Sequence, residues 1–87
     1  MNKKEFLDLG GNTVEILARP ENGNWAALAF VHGTKTSVRG AVIDLPSCRE
    51  SFTRSLAAAV TDPASDEYEE VFSSIEKTIL RMTKNSV

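Results

Sequence analysis

The first half of the chain alternates apolar and polar residues, and the second half repeats them at helical spacing. From Thr13 to Arg19, Val14, Ile16 and Ala18 fall on one side, and Thr13, Glu15 and Arg19 on the other. Leu17 interrupts the polar side. A period of two is the pattern of a strand with one buried face. Pro20-Glu21-Asn22-Gly23-Asn24 follows, and its Asn-Gly pair is a strong hairpin signal. Trp25 to Val31 is apolar throughout. The turns on either side favour a strand over a helix fragment, and apolar residues on both faces predict that it is central in its sheet. His32-Gly33-Thr34-Lys35 supplies a second turn. Thr36 to Asp44 resumes strand-like residues, with Val38 and Val42 on one face and Ala41 and Ile43 on the other. Gly40 within that run predicts a bulge or a close backbone approach.

Leu45-Pro46 stops the third strand. Ser47 to Glu50 matches a capping box, in which Ser47 and Glu50 exchange hydrogen bonds with free backbone amides. The helix it opens runs to about Val60, with Phe52, Leu56, Ala59 and Val60 on one stripe. Asp62 and Pro63 suit the cap and first position of a second helix. Tyr68, Val71, Phe72, Ile75, Ile79 and Met82 recur there at helical spacing, and the pattern fades into a polar tail after Lys84. Met1 to Leu9 can form a short helix ended by Gly10-Gly11, since glycine accepts the left-handed conformation past a helix end, but the pattern leaves helix, strand and loose arm open. The predicted fold is α+β: a three-stranded antiparallel meander and two C-terminal helices packed on one sheet face, with a short N-terminal helix as one option for the first residues.

Bulk properties narrow the function more than they define it. A chain of 87 residues is one small domain, residues 1–87, with a modest core. A net charge of −2 argues against broad electrostatic binding to nucleic acid or acidic membrane. Asp62, Asp66, Glu67, Glu69 and Glu70 gather before Lys77, Arg81 and Lys84. Acids near a helix start and bases near its end complement the helix dipole and need no ligand. One cysteine allows no internal disulfide and no cysteine-rich metal framework. The start has no apolar run of the roughly 7–15 residues of a secretory signal. No stretch approaches the ~18 apolar residues of a membrane span. A cytoplasmic protein without membrane contact is expected.

Residues 32 to 40 hold the chain's single histidine, with Lys35 and Arg39 among hydroxyl side chains. They share letters with a phosphate loop but lack its spacing, and no helix starts after Ser37. A polar hairpin turn is the expectation. His32 can act as a base only if a partner is in reach, and Asp44 and Cys48 are the candidates considered. Asp44 lies at the far end of the third strand, out of reach. Cys48, at a helix start beside Arg49, has surroundings that favour a thiolate, but no resolving cysteine or His–Asp pair accompanies it. The acids of residues 62 to 70 lie along a helix start rather than around a glycine-containing loop, so no calcium site is expected. Nothing calls for a cofactor, a metal or a catalytic residue.

An apolar patch with a polar fringe points to an interface. If Leu28 and Phe30 meet the helices, the opposite sheet face shows Trp25, Val31, Leu17 and Ile43, fringed by Arg19, Arg39 and Glu15. The third strand is expected as an exposed edge, open to self-pairing. The order helix, three strands, helix over residues 2 to 60 is similar to that of double-stranded-RNA-binding domains. Those domains set a basic cluster at the start of the last helix. Here that helix begins Ser47-Cys48-Arg49-Glu50, one cation and one acid, so the function is not carried over. The expectation is a non-enzymatic protein-interaction module, of the kind found among adaptors, immunity proteins and antitoxins. Its partner is another protein or a second copy in a homodimer. The alternative is nucleic-acid binding through Lys35, Arg39 and His32.

Overall fold

The computed structural model describes residues 1–84. The polar tail expected after Lys84 lies beyond Lys84, outside the described residues. Four antiparallel strands are followed by two helices: β1 (Lys3–Leu9), β2 (Asn12–Glu21), β3 (Asn24–Val31), β4 (Ser37–Gly40), α1 (Pro46–Val60) and α2 (Tyr68–Met82). The strand order is β1-β2-β3-β4. The α+β class, the meander and the two C-terminal helices on one sheet face are as expected. The N-terminal segment, whose pattern left its conformation open, is a strand: Lys3–Leu9 pairs with β2 from Lys3↔Ala18 to Leu9↔Asn12. The order of elements is therefore not that of a double-stranded-RNA-binding domain, since a strand stands where the leading helix would be.

The physical reason lies at Gly10-Gly11. Both glycines have positive φ, 54° and 81°. Such a pair can end a helix, but it equally makes the two-residue turn that matches strand twist. Here the turn seats β1 on the edge of β2. Gly10 is constrained twice, because a Cβ there would meet the Val60 carbonyl oxygen at 2.8 Å. Asn22-Gly23, with φ of 53° and 82°, makes the second turn as predicted. β2 runs through Pro20, which pairs opposite Trp25 beyond the last β1 pair at Lys3↔Ala18, where no strand needs its missing N–H.

The third hairpin closes with the Val31 amide on the Thr36 carbonyl at 3.1 Å. β4 keeps only Ser37–Gly40 of the expected Thr36–Asp44 strand. The chain then bends at Val42, whose φ is 53°. It still holds Trp25 from both sides: the Ile43 amide donates to the Trp25 carbonyl at 2.8 Å, and the Trp25 amide donates to Asp44 Oδ1 at 3.0 Å. Gly40 has the close approach expected of it, since a Cβ would sit 2.8 Å from Ile43 and 2.9 Å from Phe52.

α1 starts at Pro46 with Leu45 as its cap, and no side chain caps it. The expected Ser47–Glu50 capping box does not form, because proline already occupies the first helical position and moves Ser47 inside the helix. Its buried stripe is Phe52, Thr53, Leu56, Ala57 and Val60, with Ala59 exposed. Asp62 caps a turn rather than a helix, its carboxylate accepting from the Ala64 amide at 2.9 Å. α2 begins at Tyr68 and buries Val71, Ile75, Ile79 and Met82 as its spacing predicts. α1 rests over β3 and β4, and α2 over β1. The core lies between this helical layer and one face of the sheet.

Candidate functional site

Strand alternation and hairpin register decide what each sheet face carries. Val14 pairs with Val31, Ile16 with Ala29 and Ala18 with Ala27, and all six are buried beneath the helices. The intervening positions point to the other face. One cross-strand row there reads Lys4, Leu17, Leu28, Arg39, and the next reads Phe6, Glu15, Phe30, Ser37. No element covers this face among the described residues. Phe6 is 58% exposed and Phe30 38%. Leu17 and Leu28 are half-buried by their neighbours.

This reverses the expected assignment of faces. Val31 and Ile43 are core residues, 2% and 0% exposed. Trp25 is half-buried on the helix face, with Lys3 Nζ 5.5 Å from its ring centre. Leu17, Arg19 and Arg39 do lie on the open face, as expected. The cause is side-chain size. The helices need Ala27 and Ala29 beneath them to approach the sheet, so the bulky Leu28 and Phe30 are left outside.

Glu15 stands at the centre of the open face, between Phe6 and Phe30 in register. Its side chain is only 16% exposed. It accepts from His32 Nε2 at 2.9 Å and faces Lys4 Nζ at 3.5 Å. The Phe6 and His32 rings lie 6.2 Å apart. Glu15, rather than Asp44 or Cys48, is therefore the partner of His32. The signal was available: the Asn22-Gly23 turn sets Glu15 opposite Phe30 and puts His32 one diagonal away on the same face. Arg19 Nη2 donates to Glu21 at 2.8 Å. Arg39 has no ion pair among the described residues. Between Arg19 and Arg39, a shallow cleft of about 420 Å³ has Leu17, Ala26 and Leu28 in its lining. Lys35 stands in the β3–β4 turn, off the rows of the face.

The composition of this face is that of a contact surface. It combines apolar contact area with fixed charges at the margins. Cys48 sits on α1, in a neighbouring cleft with Ser51 and Phe52 that shares Arg39, Gly40 and Ala41 with the first. No group of three or more His, Cys, Asp or Glu able to hold a metal ion occurs among the described residues. No described helix is long and apolar enough to cross a membrane. No family model, no curated protein and no solved structure matches this chain.

Proposed function

We propose that this chain is a non-enzymatic binding module that docks a protein partner on the open face of its sheet, in the cytoplasm. One observation carries the reading: Phe6 and Phe30, 58% and 38% exposed, share an uncovered face with Leu17 and Leu28. Exposed aromatic rings beside half-buried leucines, bordered by charged side chains, match the make-up of a protein contact surface. Arg39 and Arg19 at one margin favour a partner whose apolar contact is bordered by carboxylates. An adaptor, an immunity protein or an antitoxin would each use such a face.

The alternative, nucleic-acid binding, draws support from the same rings, since exposed aromatics on the face that carries Arg39 can stack bases. Glu15 and Asp8 stand against it, because both place negative charge where phosphates would run.

The test is affinity capture by the wild-type chain beside Phe30→Asp and Leu80→Ala. Leu80 is exposed on α2, away from the sheet. The expected result is a stoichiometric protein held by the wild type and by Leu80→Ala, and lost by Phe30→Asp while the variant stays folded. Retention by all three would overturn the reading. Nucleic acid in the eluate, released as salt rises, would replace it with the alternative.

A further inference from the structure

The two edges of the sheet are unlike. β4 offers only Ser37–Gly40 before the chain bends away at Val42. β1 offers Lys3–Leu9, seven residues with neither proline nor glycine. α2 lies over the face of β1, tied by Arg81 to Glu5, and leaves its outer edge open. An uncovered, regular edge strand is a template for another strand.

The phase of that edge follows from the turn. Leu9 and Asn12 flank the two-residue loop, so they exchange hydrogen bonds, and so do Leu7 with Val14 and Glu5 with Ile16. The alternate residues Lys4, Phe6 and Asp8 aim their amides and carbonyls outward. Their side chains stand on the open face.

We infer that β1 pairs antiparallel with β1 of a second copy, in the register centred on Phe6. A two-fold axis there sets Phe6 against Phe6, and Lys4 of each copy against Asp8 of the other. All three outward-aimed residues of each chain then meet as hydrogen-bonded pairs, about six backbone bonds at two per pair. Opposite charges face each other at both ends, with an aromatic pair between them. Other registers are poorer. Centring on Lys4, Glu5 or Asp8 sets like charges in opposition. Centring on Leu7 loses the Lys4–Asp8 pairs and runs into the Gly10-Gly11 turn. The strand is thus self-complementary in one register, which an isologous interface requires. The two four-stranded sheets join into one. The open faces become continuous through the Phe6 pair, and the two α2 helices lie side by side on the opposite face. This pairing uses the edge of β1 and does not depend on what docks on the open face.

The experiment is the solution mass of the full chain, with the variants Lys4→Asp and Asp8→Lys. The wild type is expected at twice the 9.5 kDa of one chain. Each single variant sets like charges against each other at both ends and should dimerise at least tenfold more weakly. Mixed together, the two variants face each other with opposite charges throughout and should form a one-to-one heterodimer. In the wild type, the amides of Lys4, Phe6 and Asp8 should exchange with solvent at least tenfold more slowly as protein concentration rises. That readout needs no variant. A monomer at all concentrations would overturn the inference, as would a dimer indifferent to both substitutions or exchange at those three amides that ignores concentration. A dimer lost on Phe30→Asp alone would overturn it too, and would place the second copy on the open face.

Discussion

Along β3, past Trp25, the two faces of the sheet alternate in side-chain size: Ala27 and Ala29 are covered, Leu28 and Phe30 open. The covered face of β2 and β3 is built from Val14, Ile16 and Ala18 against Val31, Ala29 and Ala27. The open face carries Leu17, Leu28 and Phe30, with Phe6 beside them on β1. Burial by hydrophobicity alone would place the larger residues inside, because each adds buried apolar area. The chain does the reverse at these β3 positions and fills the space above Ala27 and Ala29 from the helices, with Phe52, Leu56, Ile75 and Ile79 in the core. Small residues under a helix allow close contact, while the large residues of the open face stay in reach of solvent. The difference separates the face that carries the core from the face left uncovered among the described residues.

Substitution can break that comparison at the covered face first. Ile16→Ala, at a fully buried position, should cost about 2–5 kcal/mol by loss of transfer energy and creation of a cavity. Denaturant unfolding would measure it, and a cost below about 1 kcal/mol would mean the two faces are not distinct in kind. Ala29→Leu tests the size argument directly. Ala29 is 0% exposed, so overpacking should cost about 1–3 kcal/mol although the new residue is more hydrophobic. A stabilised variant would show that the helices have room to spare. Gly10→Ala belongs in the same range, at about 2 kcal/mol, through its positive φ and the Val60 carbonyl 2.8 Å away.

The open face should answer differently. Phe30→Ser is expected to change stability by about 1 kcal/mol or less, yet to weaken partner capture at least tenfold. Calorimetry and a binding assay on the same sample would separate the two effects. The smallest effect is expected at the Glu5–Arg81 fork, where both side chains reach solvent. Arg81→Gln should lower the melting temperature slightly, and less as salt is added. Hydrogen bonding to Glu5 and its charge hold the Arg81 guanidinium above its ordinary pKa. A raised pKa on a cation stabilises the fold at every pH below the unfolded value, and the gain is lost only as pH climbs through the folded one. The difference between wild type and variant should therefore survive from neutral into moderately alkaline pH. A difference that vanished there would point to another cause.

Much of the fold was legible from side-chain pattern. The alternation of Val14, Ile16 and Ala18 names the buried face of β2, Asn22-Gly23 names its turn, and the spacing from Tyr68 to Met82 names the core stripe of α2. The β1 strand was hidden because Gly10-Gly11 serves a helix end and a hairpin equally well, and Phe6, Leu7 and Leu9 satisfy either period over so short a run. The faces of β3 were hidden because Trp25 to Val31 is apolar at every position. Periodicity is silent there, although the register of the Asn22-Gly23 turn, carried across from Val14 to Val31, resolves it. At the candidate site, Leu17, Arg19 and Arg39 were identified from pattern. Phe6, Leu28 and Phe30 are not legible this way, since Phe6 lies in a run that fits either period and the other two in a strand apolar at every position.

The sequence by itself determined the local elements whose signals are short-range: the Asn22-Gly23 turn, the alternation of β2 and the α2 stripe. These depend on backbone freedom and on residues within one turn of each other. Tertiary structure decided which side of the apolar β3 strand the helices cover, that β1 joins the sheet, and that His32 meets Glu15 rather than Asp44 or Cys48. Each of those outcomes turns on contacts between segments distant in the chain, where steric fit and the partners in reach select among arrangements that local preference leaves equal.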